Sequence, residues 1–350
     1  MSVYRTLDAN LNRVREGLRV LEDCARFSLD DGDLSGRCKN LRARLADIEA
    51  KHLPGLAMLA GRDTAGDAGT ALSNEREESR AGALDILRAN IRRVQEGLRV
   101  LEETAKLVSA PAALVFKELR YGSYTLEQAL VARELRARLN ASRVMLVITG
   151  DVCRQRPEDV AKAAYTGGVR CFQVREKGSN DGETFKRVES IARTLLELPD
   201  ALVIVNDRPD FALAAGAHGV HLGRSDMPID KARALLGPML LIGASTHSID
   251  EVRSASGADY LGAGAMFAST TKQVQHLGGP DFGAVATKLA NKQVFCVGGI
   301  TVENARVLKD KGVARIAVSS AICSADNPEY VARELTELFD SALRTPHSAL

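Results

Sequence analysis

From residue 143 onward, short apolar segments alternate with amphipathic helical ones, and this alternation restricts the fold more than any other feature of the chain. The apolar segments are VMLVIT (144–149), VRCFQVR (169–175), ALVIVN (201–206), GVHLG (219–223), LLIGAS (240–245), YLGAG (260–264), VFCVGG (294–299) and ARIAVSS (314–320). They give eight candidate strands, with seven helical stretches between them and a final helix near 328–343. Eight strand–helix units in about 200 residues match the lower size limit of a (β/α)8 TIM barrel. A doubly wound open sheet is the alternative, because closure of a sheet is not written in one sequence.

Residues 1–141 differ in character and read as helix after helix. The stretch EGLRVLE occurs at 16–22 and again at 96–102, and between ANLNRVREGLRVLEDCARF (9–27) and ANIRRVQEGLRVLEETAKL (89–107), 12 of 19 positions are identical. Leu11, Val14, Leu18 and Leu21 recur at helical spacing, as do Ile91, Val94, Leu98 and Leu101. Each copy is followed by a helical segment carrying KxLR, with Lys39, Leu41 and Arg42 in the first and Lys117, Leu119 and Arg120 in the second. The expectation is an all-α domain built from a duplicated helical hairpin, the copies separated by the loop-like AGRDTAGDAGTALSNE (60–75). Two hairpins are too few for a solenoid. The boundary falls near 140–143, giving domains 1–141 and 142–350.

Several function classes are excluded by composition. A net charge of +2 and the absence of Trp offer no surface for nucleic acid. No apolar run approaches the ~20 residues of a membrane span, and the start has no signal-peptide core. The six cysteines show no CxxC and no zinc spacing, as expected of reduced thiols in a cytoplasmic protein. A homo-oligomer is compatible with all of this.

In a barrel, catalytic groups belong just after strand C-termini. Strand two ends in QVREK, and strand alternation turns Gln173, Arg175 and Lys177 to one side. Two cations and an amide at a barrel mouth suit a polyanion. Strand three ends at Asn206 and Asp207, and strand four leads to Asp226; two carboxylates from neighbouring loops suit Mg²⁺ or Mn²⁺ alongside phosphate oxygens. Strand five ends at Ser245. The long loop FASTTKQVQHLGGP (267–280) brings Ser269, Thr270, Thr271 and Lys272, with glycines that would let it act as a lid. Strand seven ends at Gly298-Gly299 and strand eight at Ser319-Ser320, a second place for a phosphate. His221 and His247 lie near strand ends, where structural hydrogen bonding is the commoner role.

QVREK, VNDR, HLGRSDM, GASTHS, TTK, VGGI and VSSAI, in this order, resemble thiamine-phosphate synthases over essentially all of 143–345. The resemblance implies a Mg²⁺-dependent transferase of thiamine biosynthesis that joins a pyrimidine diphosphate to a thiazole phosphate and releases pyrophosphate. It implies that Gln173, Arg175, Lys177, Asn206, Ser245 and Lys272 bind the pyrimidine diphosphate, with Arg175, Lys177 and Lys272 catalytic. Asp207 and Asp226 would carry the metal, and Ser269, Thr271, Gly299, Ser319 and Ser320 the thiazole phosphate. Two departures stand out. The family's GPIFPTxTK reads GAGAMFASTTK, without the lid prolines, and its GQxD reads GRSD, which adds the cation Arg224 near the metal pair. A thiazole tautomerase and a non-catalytic precursor sensor are the alternatives within the fold. Asp207, Asp226 and Lys272 argue against the tautomerase.

Residues 3–135 resemble a helical hydroxymethylpyrimidine phosphate kinase family found fused ahead of such synthases. That resemblance implies ATP as a second substrate and a bifunctional chain. No GxxxxGK loop is present, so Asn10, Arg13, Arg62, Asp63, Asn90 and Arg93 are the candidates for a phosphate site, with Gly17 and Gly97 allowing close approach. The alternative is a docking or dimerisation module whose repeated charges form surface pairs.

Overall fold

The computed structural model describes residues 3–62, 80, 82–178, 180–268 and 277–340. The chain separates into two compact units, Met1–Glu134 and Leu135–Leu350. No described helix is long and apolar enough to cross a membrane.

The first unit is helical. The first repeat copy forms α1 (Val3–Asp23) and runs on into a π-helical turn, Cys24–Ser28. Then come α2 (Gly32–His52), α3 (Gly55–Ala60), α4 (Ala83–Ala105), which carries the second copy, and α5 (Ala110–Ala141). The side chain of Asp31 caps α2 by accepting the Leu34 N–H. Seven of the eight buried residues of α1 (Leu7, Leu11, Val14, Gly17, Leu18, Leu21 and Glu22, but not Asn10) have buried counterparts eighty positions on in α4 (Leu87, Ile91, Val94, Gly97, Leu98, Leu101 and Glu102).

The contacts explain why the polar and glycine positions of the repeat match as well as the apolar ones. A Cβ on Gly17 would lie 2.8 Å from Val94 Cγ2, and a Cβ on Gly97 would lie 2.7 Å from Val14 Cγ2. The two copies thus cross at a reciprocal contact, each glycine receiving the valine of the other helix. Glu22, nearly buried, pairs with Arg42 on α2, and Glu102 pairs with Arg120 on α5 at 2.8 Å. Two turns earlier the correspondence holds again, with Arg15 on Glu49 at 2.5 Å and Gln95 on Glu127 at 2.8 Å. The Glu of each EGLRVLE therefore ties its helix to the KxLR arginine of the next one. A buried carboxylate left without its arginine would be expensive, which accounts for the pairing of the two motifs.

The second unit is a closed eight-stranded parallel barrel in sequential order. Its strands are β1 (Val144–Ile148), β2 (Cys171–Val174), β3 (Leu202–Asn206), β4 (Gly219–Leu222), β5 (Leu241–Thr246), β6 (Tyr260–Gly264), β7 (Gln293–Val297) and β8 (Ile316–Val318). Pairing of β1 with β8, from Val144↔Ile316 to Leu146↔Val318, closes the ring and rules out the open sheet. Among the described residues, seven α-helices lie between the strands: α6 (Pro157–Thr166), α7 (Asp181–Leu196), α8 (Pro209–Ala214), α9 (Ile229–Leu236), α10 (Ile249–Ser254), α11 (Gly279–Leu289) and α12 (Val302–Asp310). A short α13 (Ser320–Cys323), not expected from the sequence, precedes the last helix, α14 (Pro328–Asp340).

Alternate strand residues divide the work. Phe172, Val174, Val203, Val205, Val220 and Leu222 pack outward against the helices. Residues of the other parity, including Gln173, Asn206, His221, Ser245 and Tyr260, fill the interior. At the base, Asp259 receives two residues of the same unit, Arg136 at 2.9 Å and Arg233 at 2.6 Å.

The glycine contact gives a test. Gly97→Leu introduces a side chain where stiff, β-branched Val14 already sits, so the helices must part. We expect destabilisation of about 1–3 kcal/mol in urea unfolding followed by circular dichroism. Adding Val14→Ala should recover part of that loss; strictly additive effects in this double-mutant cycle would refute the contact.

Candidate functional site

The expected barrel residues that fall among the described ones lie at the C-terminal ends of the strands. Gln173 is buried, and its Nε2 donates to Asn206 Oδ1 at 2.6 Å, joining β2 to β3 above the packed interior. Arg175 follows one alternation later, its backbone N–H bonded to Ile148 O at 2.7 Å. Asp207 adopts a left-handed backbone (φ 65°), which Asp tolerates better than most residues. Its N–H donates to His221 O at 2.8 Å. From that turn the Asp207 carboxylate pairs with the ammonium of Lys177 and lies near enough to Asp226 to influence its carboxyl.

Asp226 also accepts the Gly223 N–H at 2.6 Å. Burial first, and then the neighbouring Asp207, push its carboxyl above the usual range. Two carboxyl groups in contact share their charge poorly without a proton or a cation between them. Paired carboxylates of this kind are donors that Mg²⁺ accepts, so Asp207 and Asp226 are the residues that could hold it. Among the described residues no group of three or more His, Cys, Asp or Glu side chains gathers for a metal. Arg224 pairs with Glu251 at 3.2 Å, so the added cation has a carboxylate of its own.

On the opposite side, Gly298 and Gly299 both have positive φ (108° and 62°). A Cβ on Gly299 would lie 2.2 Å from the Ala268 carbonyl oxygen, so glycine there admits the chain leaving β6. Ser319 and Ser320 are half-buried between β8 and α13. Ser269, Thr270, Thr271 and Lys272 lie outside the described residues, as does Asp63.

Ser245 is positioned from below. His221 Nε2 lies 3.0 Å from Ser245 Oγ and its Nδ1 lies 3.1 Å from the Tyr260 hydroxyl, a chain of hydrogen bonds across the barrel interior. The ring fits because Gly243 and Gly262 flank it: a Cβ on Gly243 would come within 2.5 Å of His221 Nδ1. Burial lowers the His221 pKa to about 4, so it is neutral at physiological pH and serves as a support. His247 is likewise engaged, its Nδ1 2.7 Å from Gly264 O.

Two participants were not singled out by the sequence reading. Tyr260 looks like any buried strand aromatic in sequence. Glu176, between Arg175 and Lys177, has the opposite parity; its carboxylate accepts the Gly150 N–H at 2.6 Å, and burial raises its pKa. The alternation within QVREK was the available signal for Glu176.

In the helical unit the described candidates include both exposed and engaged side chains. Arg13 and Arg93 are exposed. Asn10 and Asn90 donate to carbonyls one turn back, Thr6 O at 2.9 Å and Ile86 O at 3.0 Å. Arg62 forms a two-pronged pair with Asp8 at 2.7 and 2.8 Å. Gly17 and Gly97 serve the helix crossing described above. The three arginines Arg15, Arg19 and Arg42 line a groove of 430 Å³ with Glu16 and Val20, and each of the three is paired to a carboxylate.

Residues 144–322 match the family model for thiamine monophosphate synthase, and residues 5–129 match that of the ThiD2 family. The chain is 41% identical over 337 residues to a thiamine-phosphate synthase from a Nostoc species, covering 95% of this chain and 93% of that protein. A thiamine-phosphate synthase from Gloeobacter violaceus is 42% identical over 93% of this chain and 94% of its own length. Among solved structures, a thiamine phosphate pyrophosphorylase from Pyrococcus furiosus superposes with a TM-score of 0.53 at 34% identity, covering 60% of this chain and 99% of that one.

His221 yields a prediction with a definite sign. Its pKa in the folded chain (about 4) lies below the ordinary 6.5, so the unfolded state binds the proton first as pH falls. Stability is unaffected above pH 6.5 and is lost as pH drops towards 4, by roughly 3 kcal/mol from this residue. Unfolding free energies measured across that window should show a shallower slope in His221→Asn, and an unchanged slope would contradict the assignment.

Proposed function

Since the chain belongs to the thiamine-phosphate synthase family and is an enzyme of that activity, we propose that its barrel rim works as a two-anion site, with a diphosphate held on one side and a monophosphate on the other. The observation that carries this reading is the cluster of Lys177, Asp207 and Asp226 beside the Gln173–Asn206 pair. Gln173, Asn206 and Ser245 orient the pyrimidine. Arg175 and Lys177, joined by Lys272, balance charge on the diphosphate as its C–O bond breaks. Backbone and hydroxyl groups near Gly299, Ser319 and Ser320, with Ser269 and Thr271, hold the thiazole phosphate so that the ring nitrogen faces the carbon being released. Mg²⁺, bound by Asp207 and Asp226, would neutralise diphosphate charge. The substituted pyrimidine stabilises the cation left at its methylene carbon, so the protein need supply no nucleophile. What it supplies is orientation and electrostatic complementarity.

We assign this chemistry to residues 142–350 and, for residues 1–141, ATP-dependent phosphorylation of the pyrimidine monophosphate. The match of residues 5–129 to the ThiD2 family supports that half of the reading, which makes the chain a bifunctional cytoplasmic enzyme with ATP as a substrate. Arg13 and Arg93, exposed on equivalent helix positions, are the phosphate contacts in this reading. A docking module is the second reading, favoured by one observation: most of the repeated groups are engaged in packing or ion pairs within the bundle.

Two measurements test these assignments. Asp207→Asn should raise the Mg²⁺ concentration giving half-maximal synthase rate, since an amide replaces one of two carboxylates; an unchanged requirement removes Asp207 from the metal site. The full chain with ATP, Mg²⁺, pyrimidine monophosphate and thiazole phosphate should form thiamine phosphate. Lys272→Ala should cut this by on the order of 10²-fold or more, leaving pyrimidine diphosphate to accumulate. Arg13→Ala or Arg93→Ala should abolish diphosphate formation while product still forms from added diphosphate. If the parent chain makes no diphosphate, the docking reading replaces the kinase.

A further inference from the structure

The geometry points to Glu176 as the positioning residue of the diphosphate subsite, locking the exit of β1 to the exit of β2 and so fixing where Arg175 and Lys177 emerge. This rests on the subsite reading given above. An acidic side chain between two cations that meet a polyanion works against binding, so its presence there must be explained by what it holds. The Glu176 side chain is only 2% exposed, and a buried carboxylate persists only with partners.

Those partners lie on two loops. The β1–β2 ladder ends at Ile148↔Val174, and the Arg175 N–H to Ile148 O bond follows it. Beyond that point, Glu176 Oε1 takes the Gly150 N–H at 2.6 Å. A Cβ on Gly150 would sit 3.0 and 3.1 Å from the two carboxylate oxygens, so glycine is what lets the carboxylate come this close. Arg187 on α7 completes the clamp. Its Nε lies 3.5 Å from Glu176 Oε2, its Nη2 3.4 Å from the Lys177 carbonyl and its Nη1 4.0 Å from Asp151. One carboxylate and one guanidinium thus gather both strand exits, while Lys177 reaches Asp207 beyond β3.

The test is synthase kinetics on the full chain, varying each substrate in turn, with Glu176→Ala, Glu176→Gln, Gly150→Ala and, as control, Lys177→Ala. Glu176→Ala should lower kcat/KM for the pyrimidine diphosphate by about tenfold or more, the scale of a small misplacement of binding groups, with KM for thiazole phosphate unchanged. Glu176→Gln keeps an oxygen for the Gly150 N–H and should recover most of the loss, and Gly150→Ala should reproduce it. A Glu176→Ala chain that keeps its diphosphate kcat/KM, or loses equally towards both substrates, overturns the inference. If Glu176→Ala does not fold, Gly150→Ala decides by the same criteria. If Lys177→Ala itself leaves diphosphate kinetics unchanged, the subsite reading falls and this inference falls with it.

Discussion

Pairing of β1 with β8 is the interaction on which the rest of the barrel depends. An open sheet leaves two rows of backbone donors and acceptors unpaired, and closure removes both. It also places the C-terminal ends of all eight strands on one ring. Residues as distant in sequence as Gln173, Asp226 and Ser319 then become neighbours on one rim, which no local property of the chain would bring about. The interior layer beneath supports that rim. Tyr260, His221 and Ser245 form a hydrogen-bonded chain in space that Gly243 and Gly262 leave open, so the reactive end rests on a filled and satisfied interior.

The helical unit follows a different logic. Its repeat is kept in apolar, glycine and charged positions alike because all three kinds of residue meet their partners twice. The glycines admit valines, and the glutamates reach arginines on the following helix. These requirements account for the buried positions that the copies share, while Arg13, Glu16 and Val20 and their counterparts are identical yet exposed.

Much of this was legible in the sequence. Strand–helix alternation located all eight strands to within two residues at each end, and the motifs at strand ends named described residues that lie at the rim. The boundaries moved where a side chain continues the strand pattern after the ladder has ended, as at Arg175 and Ser319. Reading Gly17 and Gly97 as openings for a ligand was a different kind of miss. Periodicity places a glycine on a helix edge but does not say which helix will lie against it, and the neighbour proved to be the other copy. Glu176 escaped notice because its parity turns it away from the substrate side, and its role depends on Gly150, twenty-six residues earlier. The interior glycines carry no signal at all in sequence, since what they accommodate comes from neighbouring strands.

The reciprocal crossing of α1 and α4 is a self-complementary contact, of the kind by which separate identical chains associate in pairs. Between separate chains such a contact weakens on dilution. Here both halves are carried on one polypeptide, and the effective concentration of each for the other is set by the connecting chain. The helical unit therefore keeps its assembled form however few copies are present, and its two repeats are free to diverge at their exposed positions while the shared interface holds them to the same buried ones.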